Sequence, residues 1–316
     1  MSAEQAHSLT RRLRNDAEDT SMSLGEVGPL KKSPNQTLRN LRRFIIGNRL
    51  NLLGLCIVVI FLFLSAFGSV IAPYDPAAKG DIIHSKLVGP STDHLLGTDE
   101  QGRDVFSRVL GGARDSLMVA VVVLTLSVIV GVIIGAISGY FGGMVDEIMM
   151  RITDMFLAFP ALVLAIAIAA TLGPSLRNTM LALATVFWPW YARLVRGQVL
   201  TIRERDYVDA ARSIGLPSSR ILAKHVMPNA MSVVIIQVTL DIGYAILTTS
   251  SLSFVGLGAQ PPSSEWGLML STARNYFRDA WWYITFPGVA LTLTVFAFNI
   301  LGDGIQDALD PRSGRR

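Results

Sequence analysis

The chain has 316 residues, of which 51% are hydrophobic and only 16% charged, with 28 Lys and Arg against 24 Asp and Glu for a formal charge of +4. Soluble domains carry about 25% charged residues, so this composition excludes an ordinary soluble globule and points to a helical membrane protein, in which about 20 apolar residues make one crossing. The basic excess needs no nucleic acid, because Lys and Arg gather in cytoplasmic loops, and the single cysteine, Cys56, excludes an intramolecular disulfide and a multi-cysteine zinc site.

Residues 1–37 are polar, with Arg11, Arg12, Arg14, Lys31 and Lys32 among acids and serines. They lack the apolar core of a signal peptide and are expected to form a disordered cytosolic tail. Segment 38–116 begins with Leu38, Leu41, Phe44, Ile45 and Ile46 alternating with Arg39, Arg42, Arg43 and Arg49. That pattern suits an amphipathic stretch on an anionic bilayer face, or a solvated charge run. The first span, 50–72, is uncharged, holds Cys56 as a lipid-facing or packing side chain, and ends at Pro73. An outer loop follows.

The core, 117–303, offers four further long apolar stretches at 117–139, 155–172, 231–255 and 284–301. A shorter one, 179–191, crosses only if its helix continues past Arg193 and Arg196, whose side chains can snorkel to the interface. With it, the expected fold is an all-α bundle of six transmembrane helices. Near the start of the third span, Asp154 and Pro160 read as an interface charge and a tolerated kink. Placing both termini in the cytosol, including the tail 304–316, puts twenty Lys and Arg inside and eight outside, as the positive-inside rule requires. Trp266, Trp281, Trp282 and Tyr283 in the last outer loop suit an interfacial aromatic belt.

The cytosolic loop 201–229 reads as two short helices. Asp206 can cap the first, with Asp209 as its capping-box partner. Ala210 and Ala211 let another surface approach closely, Gly215 supplies a left-handed stop, and Pro217 prevents continuation. Ser218 can cap a second helix running towards Pro228. A well-capped hairpin with no partner would show the same signals. The spacing, however, resembles the signature of ATP-binding-cassette (ABC) importer permeases, Glu-Ala-Ala, three residues, Gly, nine residues, Ile-x-Leu-Pro. Here Asp209-Ala210-Ala211 precedes Gly215, and His225-Val226-Met227-Pro228 completes the pattern, with Asp for Glu, His for Ile and Met for Leu.

A second stretch is similar to the outer segment of the dipeptide, oligopeptide, nickel and glutathione importer permeases. It runs Leu96-Gly97-Thr98-Asp99-Glu100-Gln101-Gly102-Arg103-Asp104, with Gly112-Ala113-Arg114-Asp115-Ser116 after it. Ser250-Ser251-Leu252-Ser253-Phe254-Val255-Gly256-Leu257-Gly258 and Asn299-Ile300-Leu301-Gly302-Asp303 extend the likeness, and the run before Pro73-Tyr74-Asp75-Pro76 fits the C-type subunit. The resemblance implies a bacterial inner-membrane permease in a five-part importer. Its partners would be a homologous second permease forming a heterodimer, two cytosolic ATPase subunits that bind ATP and Mg, an extracytoplasmic solute-binding protein, and membrane lipid. The loop 201–229 would be its coupling helix, and the solute a peptide or similar small molecule.

The chain has no Gly-x-x-x-x-Gly-Lys-Ser/Thr phosphate cradle, no HExxH pair and no Gly-x-Ser-x-Gly elbow, so it is expected to be no enzyme and to carry no cofactor. Gly256-Leu257-Gly258 reads as a turn at a membrane exit. His84, Asp93, His94 and Asp99 crowd one loop, but their spacing matches no common metal site. Asp241 lies in the middle of the fifth span, where an unpaired carboxylate costs about 2.5 to 3.5 kcal/mol. Three roles are open to it: a polar residue in the translocation path, a helix-pairing carboxylate, or the proton relay of a secondary transporter.

Overall fold

The computed structural model describes residues 49–80 and 84–309, the side chains of 308 and 309 excepted. The expectations for the tail 1–37, the amphipathic stretch that follows it and the residues beyond 309 lie outside that part. The described residues form ten α-helices and one π-helical turn. Extended pairing among them is limited to an isolated bridge between Thr98 and Asp104.

α1 (Arg49–Ile71) is apolar almost throughout and leaves Leu52, Leu53, Val59, Ile60, Phe63, Phe67 and Val70 exposed. Cys56 is exposed on the same helix. In a bilayer this surface meets lipid tails rather than water. Its buried face, Gly54, Val58, Phe61 and Gly68, packs on α2 (Val105–Phe141) and on α10 (Trp281–Leu309).

The longest contact joins α2 to α5 (Leu176–Arg203). Gly131, Gly135 and Gly139 recur every four residues on α2, a small-residue stripe that lets two helix backbones approach. A Cβ added to Gly135 would lie 2.4 Å from the Ala192 carbonyl oxygen, and one added to Gly131 would lie 2.7 Å from that of Trp188. Hence the two helices touch backbone to backbone. α5 is 28 residues long, about 42 Å at 1.5 Å per residue. It continues past Arg193 and Arg196, but it is not among the helices apolar enough to count as a span.

The third expected span is not one helix with a tolerated kink. α3 (Gly143–Leu157) and α4 (Ala161–Leu172) are bent by 86° at their junction. Pro160 is extended (φ −58, ψ 122) and cannot donate to the ladder, and a proline disfavours helical backbone at the residue before it. α4 alone has 12 residues, about 18 Å, too short for a hydrocarbon core of about 30 Å.

α6 (Asp206–Ser213) and α7 (Ser218–Ile221) form the elbow after α5, and a π-helical turn (Leu222–Val226) leads into α8 (Met227–Val255). Pro228 explains that wide turn. It has no N–H to give to residue 224, and the ladder slips so that the Met227 N–H donates to the Leu222 carbonyl. α9 (Trp266–Ala273) is a short helix between α8 and α10. Four of these helices, α1, α2, α8 and α10, are long and apolar enough to cross a membrane, or five if the bent pair counts as one.

Helix ends gather at two poles. At one, Gly68 abuts Leu110, the Thr179 hydroxyl donates to the Leu257 carbonyl, and the Trp282 indole donates to the Thr98 carbonyl. At the other lie the end of α2, α3 and the elbow, where Arg203 donates to the Gly139 carbonyl and caps α2.

Candidate functional site

Three assemblies carry the chemistry: an elbow at one pole, a clasp at the other, and a pocket between them. In the elbow, α6 starts one residue earlier than the capping expectation requires. Arg205 occupies the N-cap position without a side-chain bond, and Asp206 is the first helical residue. Asp209 does not close a capping box, because its carboxylate accepts from the Arg212 guanidinium at 2.8 Å. Likewise Pro217, not Ser218, is the N-cap of α7, and the Pro217 carbonyl accepts from the Arg220 and Ile221 amides. The helix stop is as expected. Gly215 has φ +80, the Gly215 N–H donates to the Arg212 carbonyl, and the Leu216 N–H donates to the Ala211 carbonyl. That pair of bonds is a Schellman cap.

Ala211 is buried in the elbow with Val208, Ile221 and Val226, so it does not face a partner. Ala210, Asp209 and Pro228 are exposed. With Tyr207 and Ile214, the latter 77% exposed, Ala210 belongs to a surface that is partly apolar and stands clear of the bundle. The elbow is fastened to its base by Asn229, whose amide donates to the Tyr207 hydroxyl of α6 at 3.3 Å and to the His225 carbonyl at 2.8 Å. Two further ion pairs tie α5 to α3 just above it. Arg196 grips Asp146 with two bonds of 2.6 Å, and Arg193 reaches Asp154 at 2.6 Å.

The outer motif is a buried clasp. Asp99, fully buried, accepts from the Arg103 amide at 2.9 Å and from the Arg103 guanidinium at 2.6 Å, and Arg108 lies 3.5 Å away. Asp104 caps α2 by accepting from the Ser107 amide and hydroxyl, both at 2.7 Å, and stands 3.0 Å from the His94 ring. Gly97 (φ +74) leaves room for Trp282, whose indole nitrogen a Cβ there would approach to 2.5 Å. Gly102 (φ +72) turns the chain so that its N–H returns to the Asp99 carbonyl. Thr98 accepts from the Val88 amide at 2.8 Å. No group of three or more metal-ligating side chains occurs among the described residues, because Asp99 and His94 are turned towards Arg103 and Asp104.

Tyr283 and Trp266 are fully buried and Trp282 nearly so, while Trp281 is 56% exposed. These residues therefore do not form a belt, except for Trp281. The Tyr283 hydroxyl donates to Glu100, and the Trp266 indole donates to the Val109 carbonyl. Buried polar atoms need partners, and these two side chains have them, whereas the buried Arg108 Nε is left without a hydrogen bond, 3.5 Å from Asp99. Beside it, Glu265 is fully buried and caps α9 by accepting from the Gly267 and Leu268 amides, both at 2.9 Å. Burial pushes its carboxyl above the ordinary range, and the capping amides oppose that shift.

Asp241 lines a pocket of about 300 Å3 with Leu157, Ala161, Phe187, Trp190, Tyr191 and Tyr244. The Tyr191 hydroxyl donates to one carboxylate oxygen at 2.6 Å, and the Gln237 amide donates to the other at 3.0 Å. Asp241 is thus paired within its own chain, to the neighbouring helix α5 and to the preceding turn of α8. Leu157 and Ala161 reach the pocket because α3 and α4 part at Pro160. Tyr191 is buried, and its Cβ lies against Gly131, where an added Cβ would come within 2.5 Å of it. Neither Tyr191 nor the glycine stripe was among the expected site residues. The four-residue repeat of glycine on α2 was the sequence signal for the stripe, but nothing in sequence pairs Tyr191 with a residue fifty positions on.

Residues 131–315 match the family model described as binding-protein-dependent transport system inner membrane component, and residues 36–90 match the N-terminal TM domain of oligopeptide transport permease C. Among curated proteins, the chain is 46% identical over 268 residues to the probable D,D-dipeptide transport system permease protein DdpC of Escherichia coli, covering 85% of this chain and 89% of that protein. It is 43% identical to the dipeptide transport system permease protein DppC of Alkalihalophilus pseudofirmus, covering 84% and 86%. The glutathione transport system permease protein GsiD of Pectobacterium atrosepticum is 41% identical, covering 81% and 84%. Two family matches in tandem and three relatives covered over most of their length leave one conclusion: the chain belongs to the inner-membrane permease subunits of binding-protein-dependent ABC importers, in the C-type branch.

Proposed function

We propose that this permease carries peptides or similar small solutes, delivered by an extracytoplasmic binding protein, across the bacterial inner membrane by ATP-driven alternating access. It works beside a homologous second permease and two cytosolic ATPase subunits, which bind the ATP and Mg. The relatives, permeases of dipeptide and glutathione transport systems, support the solute class. α1, α2, the broken pair α3 and α4, α5, α8 and α10 make six crossings, and the elbow pole is cytosolic. Its seven Lys and Arg between Arg193 and Lys224 support that orientation.

The observation that carries the reading is the elbow itself, a Schellman-capped helix with an exposed, partly apolar surface, clamped at both ends to spanning helices. Such a part suits docking on an ATPase and turning with it. Gly215→Val tests this. No atom lies within 4 Å of a Cβ at that position, so the substitution acts only through its left-handed backbone, at about 1 to 2 kcal/mol. The assembled complex should still form, yet uptake per complex in reconstituted vesicles should collapse, with ATP hydrolysis lost or uncoupled. Uptake and hydrolysis that stay in proportion to the amount of complex would remove the elbow from the coupling path. A proton-coupled carrier using Asp241 has less support, since no second acid lines the pocket.

A further inference from the structure

The Asp241 pocket has a composition that selects one kind of chemical group. Its lining holds a single carboxylate and no Lys or Arg, and four aromatic rings, those of Phe187, Trp190, Tyr191 and Tyr244, surround it. Phe187 and Tyr244 stack at 5.5 Å with their planes 21° apart. The Tyr191 hydroxyl and the Gln237 amide each donate one bond to Asp241, an arrangement suited to an ionised carboxylate, which only accepts and has about four acceptor sites. About two acceptor sites therefore remain without a partner among the described residues. A carboxylate with spare lone pairs among π faces attracts a compact cation, and an ammonium group gains from both the charge and the rings. The volume of about 300 Å3 sits at the lower end of the range for small-ligand sites, roughly 300 to 1,000 Å3. It suits the end of a solute, not a long chain.

We infer that Asp241, with the aromatic rings around it, binds the primary ammonium group of the solute, for a peptide its free amino terminus, as the solute passes through this permease. The inference rests on the proposed transport of peptide-like solutes. It assigns Tyr191 and Gln237 to holding the carboxylate, and Trp190 and Tyr244 to facing the cation. It also accounts for an acid in mid-span without a proton-relay role.

The test uses the full importer, with both permeases, the ATPases and the binding protein, in vesicles, with Ala161→Cys in a Cys56→Ser background. Ala161 is exposed on the pocket wall, so a thiol reagent reports occupancy without requiring transport. L-alanyl-L-alanine should slow labelling several-fold, its N-acetyl counterpart should not, and Asp241→Asn should abolish the protection. Tyr191→Phe, which keeps the carboxylate but removes the bond between helices, should retain more than half of it. Should Asp241→Asn fail to assemble, Tyr244→Lys serves instead, because a lysine one turn along α8 can place its own ammonium on Asp241 and should cancel protection equally. Uptake of L-alanyl-L-alanine, measured on the same vesicles, should fall about tenfold in Asp241→Asn. Equal protection by the free and acetylated peptides, no protection by either, or a Tyr191→Phe loss as large as that of Asp241→Asn would overturn the inference. If wild-type vesicles show protection without uptake, the transport reading fails and the ammonium site stands; uptake without protection has the opposite meaning.

Discussion

Several single residues in this permease do something other than their type suggests. Asp209 carries the charge of the family signature, yet it is 61% exposed and bonded only to Arg212, a pairing worth at most about 0.5 kcal/mol on a helix surface. Glu265 is the opposite case, a fully buried carboxyl whose two capping bonds hold the start of α9. Burial raises its pKa above the ordinary 4.5, so the folded protein holds that proton more tightly than the unfolded chain. The stabilising contribution is complete below 4.5 and is lost as pH climbs through the raised value. Thermal unfolding of the purified protein should therefore show a midpoint that falls with rising pH, relative to Glu265→Gln, which keeps an accepting oxygen and does not titrate. Parallel pH profiles for the two proteins would contradict this account.

Among the elements, α2 and α5 form the frame on which the rest depends. Their contact relies on Gly131, Gly135 and Gly139 being no larger than glycine, since van der Waals packing and close backbone approach, not hydrophobic transfer, drive helix association in lipid. Gly135→Leu should push α5, through Ala192 and Val195, away from α2, costing about 1 to 3 kcal/mol. It should lower the thermal midpoint in detergent and, through Tyr191, disturb the pocket. Gly197→Leu is the matching control, because a Cβ there meets nothing within 4 Å. Equal behaviour of the two variants would mean that the stripe does not set the helix separation. The pairs Arg196–Asp146 and Arg193–Asp154 extend the frame to α3, so the broken helix and the base of the elbow are held by the same segment of α5.

For the whole molecule, the two poles set the division of labour. The clasp locks residues 96–104 onto the starts of α2 and α10 through Asp99, Asp104 and Trp282, while the elbow pole carries the exposed, partly apolar surface proposed to dock the ATPase. A cysteine placed at Ser91, which is exposed at the clasp pole, should react with a membrane-impermeant thiol reagent in cells whose outer barrier has been opened, in a Cys56→Ser background. One placed within residues 1–37 should be protected. The reverse labelling pattern would invert the proposed topology and move the elbow away from any cytosolic ATPase.

Much of this architecture is written in the chain. A low charge fraction and long uncharged runs dictate membrane helices, because each polar backbone group in lipid must be satisfied within its own segment. Local punctuation placed the Gly215 stop, the Gly256 turn and the approximate extents of α1, α8 and α10, all of which depend on neighbours within a few residues. Spacing alone, matched to a family signature, marked the elbow, and the family comparisons agree with the branch it suggested. Other features were decided only by packing. Pro160 reads as a tolerated kink until the 86° turn is seen, Trp266, Trp282 and Tyr283 read as interfacial until the clasp buries them, and Asp209 reads as a capping-box partner until Arg212 takes its carboxylate. Asp241 acquired its partner in the same way, from Tyr191 on a helix fifty residues earlier. Such pairings follow from where helices cross, and that is set by backbone approach at glycines such as Gly131, whose spacing is local but whose consequence is tertiary.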